Sequence, residues 1–151
     1  MNERIPLNIQ KIRNIIADIE GNLEELKSLA SLSLEEFRSD RKNYGLAEHY
    51  LRRSLEGILT IGSHILSRLP AKTKDYQQII ISLGEYGIIP KDFAEKNKRL
   101  ASYRNRLVHL YWEVSLNELY TVIQQHLEDL TLFCRYFRDV LKAPERFGLS
   151  R

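Results

Sequence analysis

The sequence contains a single cysteine, Cys134, so no disulfide can form within the chain. Glycine and proline are scarce, at 7 and 4 residues, which argues against a loop-rich or low-complexity protein. No apolar run approaches the ~18 residues that a membrane helix needs. The first ten residues lack the apolar segment of a signal peptide. These absences predict a cytoplasmic protein that makes no membrane contact.

Metal-ligand patterns and strand patterns are also missing. His49, His64 and His126 have no Asp, Glu or Cys three or four residues away, except that Asp129 follows His126 by three. We therefore interpret these histidines as ordinary surface or core residues and expect neither a metal nor a cofactor. No stretch alternates between apolar and polar residues for long enough to form a strand.

The charge balance is mild, with a formal net charge of +3 and a pI of about 9.0. Such a balance permits a nucleic-acid partner without requiring one. The length of 151 residues suits one domain. We assign residues 1–151 to a single helical domain and expect the tail after about residue 143 to be frayed.

Apolar residues recur at steps of three and four along most of the chain, as in helices that pack in a bundle. Capping boxes at Ser33–Glu36 and Ser115–Glu118 predict two helix starts. Gly87 is placed to end a helix, and Pro90 to begin the next. The last helix is expected to run without a break over residues 116–141. The prediction is an all-α, up-and-down helical bundle of about five to six helices.

The string RNRLVHLYWEV at residues 104–114 departs from simple amphipathic patterning. Asn97 and Arg104 both lie in the apolar stripe of the fifth helix, where an arginine is costly unless it is paired or opens into a cleft. On a regular helix Arg104 and Tyr111 lie within ~20° of each other, whereas His109 is roughly 140° from Arg104. Either the helix ends near His109, or the two side chains meet through a second copy of the chain. We expect both.

The order Arg104-Asn105, His109 and Tyr111, with four residues between the arginine and the histidine, resembles the signature of HEPN domains. The resemblance is closest to HEPN toxins encoded beside minimal nucleotidyltransferase antitoxins, and it covers most of the chain. It implies a helical bundle, a homodimer and metal-independent cleavage of RNA. It also implies that a partner nucleotidyltransferase neutralises the toxin by transferring AMP to Tyr111.

The residue types also suit this chemistry. RNA can be cleaved with the ribose 2′-OH as an internal nucleophile, which requires a base, an acid and a cation near the phosphate. Histidine, with an ordinary pKa near 6.5, can serve as base or acid, and arginine matches the phosphate oxygens. The motif holds one histidine per chain while the reaction has two proton transfers, and a symmetric dimer would supply the second.

We assign the catalytic roles to Arg104 and His109, and supporting or substrate-binding roles to Asn105, Arg106 and Asn97. The predicted function is the toxin of a type VII-like toxin–antitoxin pair, an endoribonuclease with RNA as substrate. The alternatives are a non-catalytic module that binds a nucleotide or the partner, and a plain structural bundle.

Single residues also have less specific interpretations. Arg104 and His109 could belong to a buried network or pair with acids such as Glu113. Asn97 could be a satisfied core amide, and Arg106 could bind phosphate or nothing. Trp112 could anchor a dimer or pack locally.

Overall fold

The computed structural model describes residues 5–151, and for Tyr111 it describes the backbone but not the side chain. Within this part of the chain all regular structure is helical, and the predicted all-α class is confirmed. The helix count slightly exceeds the predicted five to six. The seven α-helices are α1 (Ile9–Ala30), α2 (Leu34–Ser39), α3 (Arg41–Leu66), α4 (Tyr76–Glu85), α5 (Lys91–His109), α6 (Leu116–Gln125) and α7 (Leu127–Lys142).

Several helices begin at a polar side chain that accepts a hydrogen bond from the first turn. Asn8 accepts from the Lys11 amide at the start of α1, and Asp75 accepts from the Gln78 amide at the start of α4. The predicted capping box at Ser33–Glu36 is complete, because both reciprocal bonds are present. Each such cap typically contributes about 1 kcal/mol.

The link between α4 and α5 brings these two helices close together. Gly87 adopts a φ of +72°, which allows the sharp turn at the end of α4. Pro90 is the N-cap of α5, one position before the place predicted for it. A Cβ atom on Gly84 would lie 2.7 Å from the Cβ of Ala94, so α4 and α5 approach more closely than a larger residue would permit. This packing sets the N-terminal part of α4 beside the C-terminal half of α5.

The core lies between α1, α3 and α7 and consists mostly of isoleucine, leucine and phenylalanine. Gly57 of α3 faces Ile19 of α1, where an added Cβ would lie 2.7 Å from the Ile19 Cγ1 atom. Phe133 and Phe137 of α7 are almost fully buried. Burial of each such side chain stabilises the fold by about 1.5–3 kcal/mol relative to exposure. The long helix α3 packs against α1 and also against α4 and α5, and so supports the two helices that follow it.

The predicted unbroken helix over residues 116–141 is wrong. The backbone leaves helical geometry at His126, where φ is −115° and ψ is −2°, and this residue both ends α6 and begins α7. The Nδ1 atom of His126 is buried and has no hydrogen-bond partner in the described part of the chain. The apolar stripe continues through the break, so periodicity alone could not reveal it.

The prediction of a frayed tail is also wrong. A short 3-10 helix forms at Pro144–Phe147, and Leu149 beyond it is only 2% exposed. The Leu7 amide donates to the Ser150 carbonyl at 2.8 Å, which joins the two ends of the described chain. Burial of Leu149 holds the tail against the bundle. None of the described helices is both long enough and apolar enough to span a bilayer.

Candidate functional site

Helix α5 ends at His109, as predicted. The Leu110 amide donates to the Arg106 carbonyl at 2.9 Å, after which the chain forms a 3-10 turn at Tyr111–Glu113. Leu110 has a φ of −131°, outside helical geometry. The predicted position of the Tyr111 hydroxyl near Arg104 concerns a side chain that lies outside the described part of the structure.

Arg104 is both paired and open to solvent. Its Nε atom lies 3.4 Å from Oε1 of Glu56 on α3, and a terminal nitrogen donates to the Asn105 Oδ1 atom at 3.1 Å. The guanidinium also lies over the ring of Tyr76, with its central carbon 5.4 Å from the ring centroid. Glu56 is shared, since Arg52 donates to it at 3.2 Å. The arrangement leaves two cations beside one carboxylate, and so an excess of positive charge at Arg104.

Glu56 and Tyr76 are residues that sequence reasoning missed. Glu56 precedes Arg104 in sequence by 48 positions, and no spacing rule connects two different helices. The only local signal was the Arg52–Glu56 pair, four residues apart on one helix, which is common on solvated faces.

Arg104 lies at one end of a groove of about 570 Å³ between α1, α3, α4 and α5. The floor of this groove is apolar and contains Leu59 and Ile79, both buried. Its remaining lining residues are polar or aromatic: Lys11, Glu56, Thr60, Ser63, His64, Ser67, Tyr76 and Arg104. The volume falls within the ~300–1,000 Å³ that is typical of ligand sites.

His109 lies apart from this groove. Its side chain is exposed and makes no hydrogen bond or ion pair with any residue in the described part of the chain. His109 does not contact Arg104 within a single chain. This is expected, because the two positions are roughly 140° apart on a regular helix. Asn105, also exposed, contacts Arg104 and is placed to hold its guanidinium.

Arg106 does not have the environment predicted for a substrate-binding residue. Its two terminal nitrogens donate to both carboxylate oxygens of Glu118 at 2.9 and 3.2 Å, and its guanidinium lies over the Tyr103 ring. Tyr103 donates to the same carboxylate at 2.7 Å. Arg106 therefore joins α5 to α6. The capping box predicted at Ser115–Glu118 is only half formed, because the Glu118 side chain is used in this network.

The titration of this cluster follows from its contacts. Burial by itself would raise the pKa of Glu118, but the hydrogen bonds from Tyr103 and Arg106 outweigh it and hold that pKa below its ordinary value. Burial, followed by the bond to Glu118, raises the pKa of the Tyr103 hydroxyl. Glu118 is consequently a carboxylate at neutral pH, and Tyr103 is a neutral donor.

Asn97 is a core amide, and its predicted substrate-binding role is wrong. It is 1% exposed, and its Nδ2 atom donates to the Phe93 carbonyl at 3.0 Å. Asn97 and Arg104 share one stripe of α5, but the bundle covers that stripe unevenly. At Asn97 the stripe borders Phe133 of α7, whereas at Arg104 it faces the open groove.

His64 lies at the other end of the groove. Its Nε2 atom accepts a hydrogen bond from the Asn8 amide at 3.1 Å, and the imidazole thereby holds the start of α1. Burial, followed by the charges of Arg68 and Lys11, lowers the pKa of His64. Among residues 5–151 no group of three or more His, Cys, Asp and Glu side chains is arranged to hold a metal ion.

The helical bundle, with Arg104 in a groove and His109 at the end of the same helix, has the fold of the HEPN toxins. A tri-AMPylated HEPN toxin from Shewanella oneidensis, solved in complex with its MNT antitoxin, has a similar structure. It is 23% identical in sequence, with a TM-score of 0.76 over 92% of this chain and 99% of that one.

The chain belongs to the HepT-like family of ribonucleases, whose family model, described as "Ribonuclease HepT-like", matches residues 19–137. It is 28% identical over 120 residues to the tRNA nuclease HepT of Aphanizomenon flos-aquae, covering 79% of this chain and 82% of that protein. It is 30% identical over 97 residues to the mRNA nuclease HepT of Shewanella oneidensis, covering 62% and 68% respectively. The resemblance to HEPN toxins and the ribonuclease class are thus confirmed.

Proposed function

We propose that this chain cleaves RNA by attack of the ribose 2′-OH on the adjacent phosphate, with Arg104 and His109 as the catalytic pair. One observation supports this proposal most directly. Arg104 opens into the groove, while His109 is exposed at the end of the same helix and makes no hydrogen bond or ion pair in the described part of the chain. Arg104 would stabilise the charge that develops on the phosphate oxygens. His109 would take the proton from the 2′-OH or give one to the leaving 5′-oxygen.

The second proton-transfer group is supplied, in this proposal, by His109 of a second copy in a symmetric homodimer. Within one chain the two motif side chains are not in contact, so a single copy does not complete the site. Two large apolar residues are exposed beside the motif, Leu110 at 39% and Trp112 at 67%. Exposed apolar surface at this position favours an interface that includes the motif.

The partner in this proposal is a minimal nucleotidyltransferase antitoxin that transfers AMP to Tyr111. The similar Shewanella toxin is AMPylated and is bound to its MNT antitoxin. In this chain the backbone places residue 111 two positions after His109, between two exposed residues. Each AMP group would bring a negative phosphodiester to the site, where it would bind Arg104 and repel RNA.

The test is incubation of the purified protein with RNA in the presence of EDTA. Wild type is expected to leave products that end in a 2′,3′-cyclic phosphate, and Arg104→Ala and His109→Ala are each expected to abolish cleavage. Arg135→Ala, on the exposed face of α7, is the matched control and should keep full activity. If wild type binds RNA but never cuts it, with or without divalent metal, the chain is a binding module.

A further inference from the structure

We propose that the groove between Arg104 and Lys11 binds one unpaired nucleotide of the RNA, with its base on the apolar floor and its flanking phosphates at the two cations. The inference rests on the proposed function, because it takes RNA as the substrate. It adds a subsite: a place for one nucleotide beside the cleaved bond.

The floor of the groove has the chemistry of a base-binding surface. Leu59 and Ile79 are buried beneath it, and Tyr76 is half-buried at its edge beside Arg104. Nucleobases stack on aromatic rings and on arginine planes, and unpaired nucleotides are the ones that can be splayed into such a pocket. A base that remained paired in a duplex could not reach this floor.

The two ends of the groove suit phosphate groups. Arg104 borders one end, while Lys11 borders the other, and the Lys11 ammonium has no hydrogen bond or ion pair in the described part of the chain. Glu56 lies beside Arg104, and His64 lies beside the start of α1. These two residues are about 12 Å apart along α3, at ~1.5 Å per residue. This length accommodates a nucleotide together with both of its phosphates.

One wall of the groove offers hydroxyl groups. Thr60 and Ser63 lie on one exposed face of α3, and Ser67, the C-cap residue of this helix, continues the same wall. Thr60 and Ser67 donate to backbone carbonyls of their own helix, whereas the Ser63 hydroxyl makes no hydrogen bond in the described part of the chain. Ser63 is therefore available to a ribose or base edge in the middle of the groove.

The test measures binding rather than cleavage. A fluorescein-labelled oligouridine carrying 2′-O-methyl groups cannot be cut by 2′-OH attack, and its affinity can be measured by fluorescence anisotropy over a range of salt concentrations. Tyr76→Leu should weaken binding about tenfold, whereas Tyr76→Phe keeps the ring and should bind like wild type. Lys11→Ala should reduce the slope of log K against log salt by about 0.7, the share of one phosphate on a single strand.

Two further variants keep the result interpretable if Tyr76→Leu folds poorly. Ser63→Glu places a carboxylate at an exposed position in the groove and should weaken binding at least about tenfold through repulsion of phosphate. Ser28→Glu, exposed on α1 and about 25 Å along that helix from Lys11, is the matched control and should not. Lys42→Ala, about 21 Å along α3 from Glu56, is the matched lysine control and should leave the salt slope unchanged.

The groove assignment is overturned if Tyr76→Leu and Ser63→Glu bind like wild type, or if a duplex binds as tightly as the single strand. Its failure is distinguishable from that of the catalytic proposal. Loss of cleavage in Arg104→Ala with no effect of the groove variants would leave catalysis standing and remove the subsite. If binding depends on the groove but the protein never cuts RNA, the subsite stands and the catalytic proposal fails.

Discussion

Arg104 and Arg106 lie two positions apart on α5, yet the structure predicts opposite consequences for their loss. Arg106→Ala should lower stability and leave cleavage nearly intact. Arg104→Ala should abolish cleavage and leave stability nearly intact. The reason is that Arg106 is held by Glu118 across the α5–α6 contact, whereas Arg104 opens into the groove.

The expected changes in the free energy of unfolding follow from the solvent exposure of the side chains involved. The Arg106 and Glu118 side chains are 35% and 36% exposed, so solvent screens the pair, and its two-point geometry puts its loss at about 1 kcal/mol. At this chain length that corresponds to a fall in Tm of ~2–4 °C. Glu118→Ala also removes the acceptor of the half-buried Tyr103 hydroxyl, and its cost should be about 2–3 kcal/mol. Arg104→Ala should cost less than about 1 kcal/mol, because Glu56 retains Arg52.

The assay combines guanidinium unfolding with RNA cleavage in EDTA on the same preparations. The double variant Arg106→Ala/Glu118→Ala should show coupling of about 0.5–1 kcal/mol between the two changes. Glu25→Ala, exposed on α1 and without a side-chain hydrogen bond or ion pair in the described part of the chain, is the control and should change neither quantity. Loss of cleavage in Arg106→Ala at unchanged stability would contradict this prediction, because Arg106 would then belong to the site.

Three further outcomes are expected. Tyr111→Phe should remain toxic and resist neutralisation by the partner nucleotidyltransferase, and mass spectrometry finding residue 111 unmodified in the neutralised wild-type complex would contradict the AMP mechanism. The pKa of His64 is lowered in the folded state. The contribution of His64 to the free energy of unfolding should therefore be complete above pH ~6.5 and decline as the pH falls through the folded-state pKa. His64→Gln should lack this decline, and an equal dependence of unfolding free energy on pH in wild type and variant would argue against it. Leu149→Ala should cost about 2–5 kcal/mol by denaturant unfolding, whereas a loosely held tail would cost almost nothing.

The helical class, the starts of α2, α5 and α6 and the end of α5 could be predicted from local rules. Apolar periodicity, capping boxes and the turn signals at Gly87 and Pro90 act within a few residues. Their consequences can therefore be predicted from the local sequence. Local rules failed where distant residues intervene. The Glu118 side chain, expected to complete its own cap, instead binds Tyr103 and Arg106 on a different helix.

The sequence by itself determined which residue types stand in the motif and that Arg104 and His109 occupy different sides of one helix. Only the tertiary structure decided that Arg104 opens into a groove while Asn97, on the same stripe, is buried. The physical reason is that burial depends on which neighbouring helix covers each part of the stripe. That covering comes from α3, α4 and α7, whose contacts with α5 join residues far apart in the chain and carry no local signature.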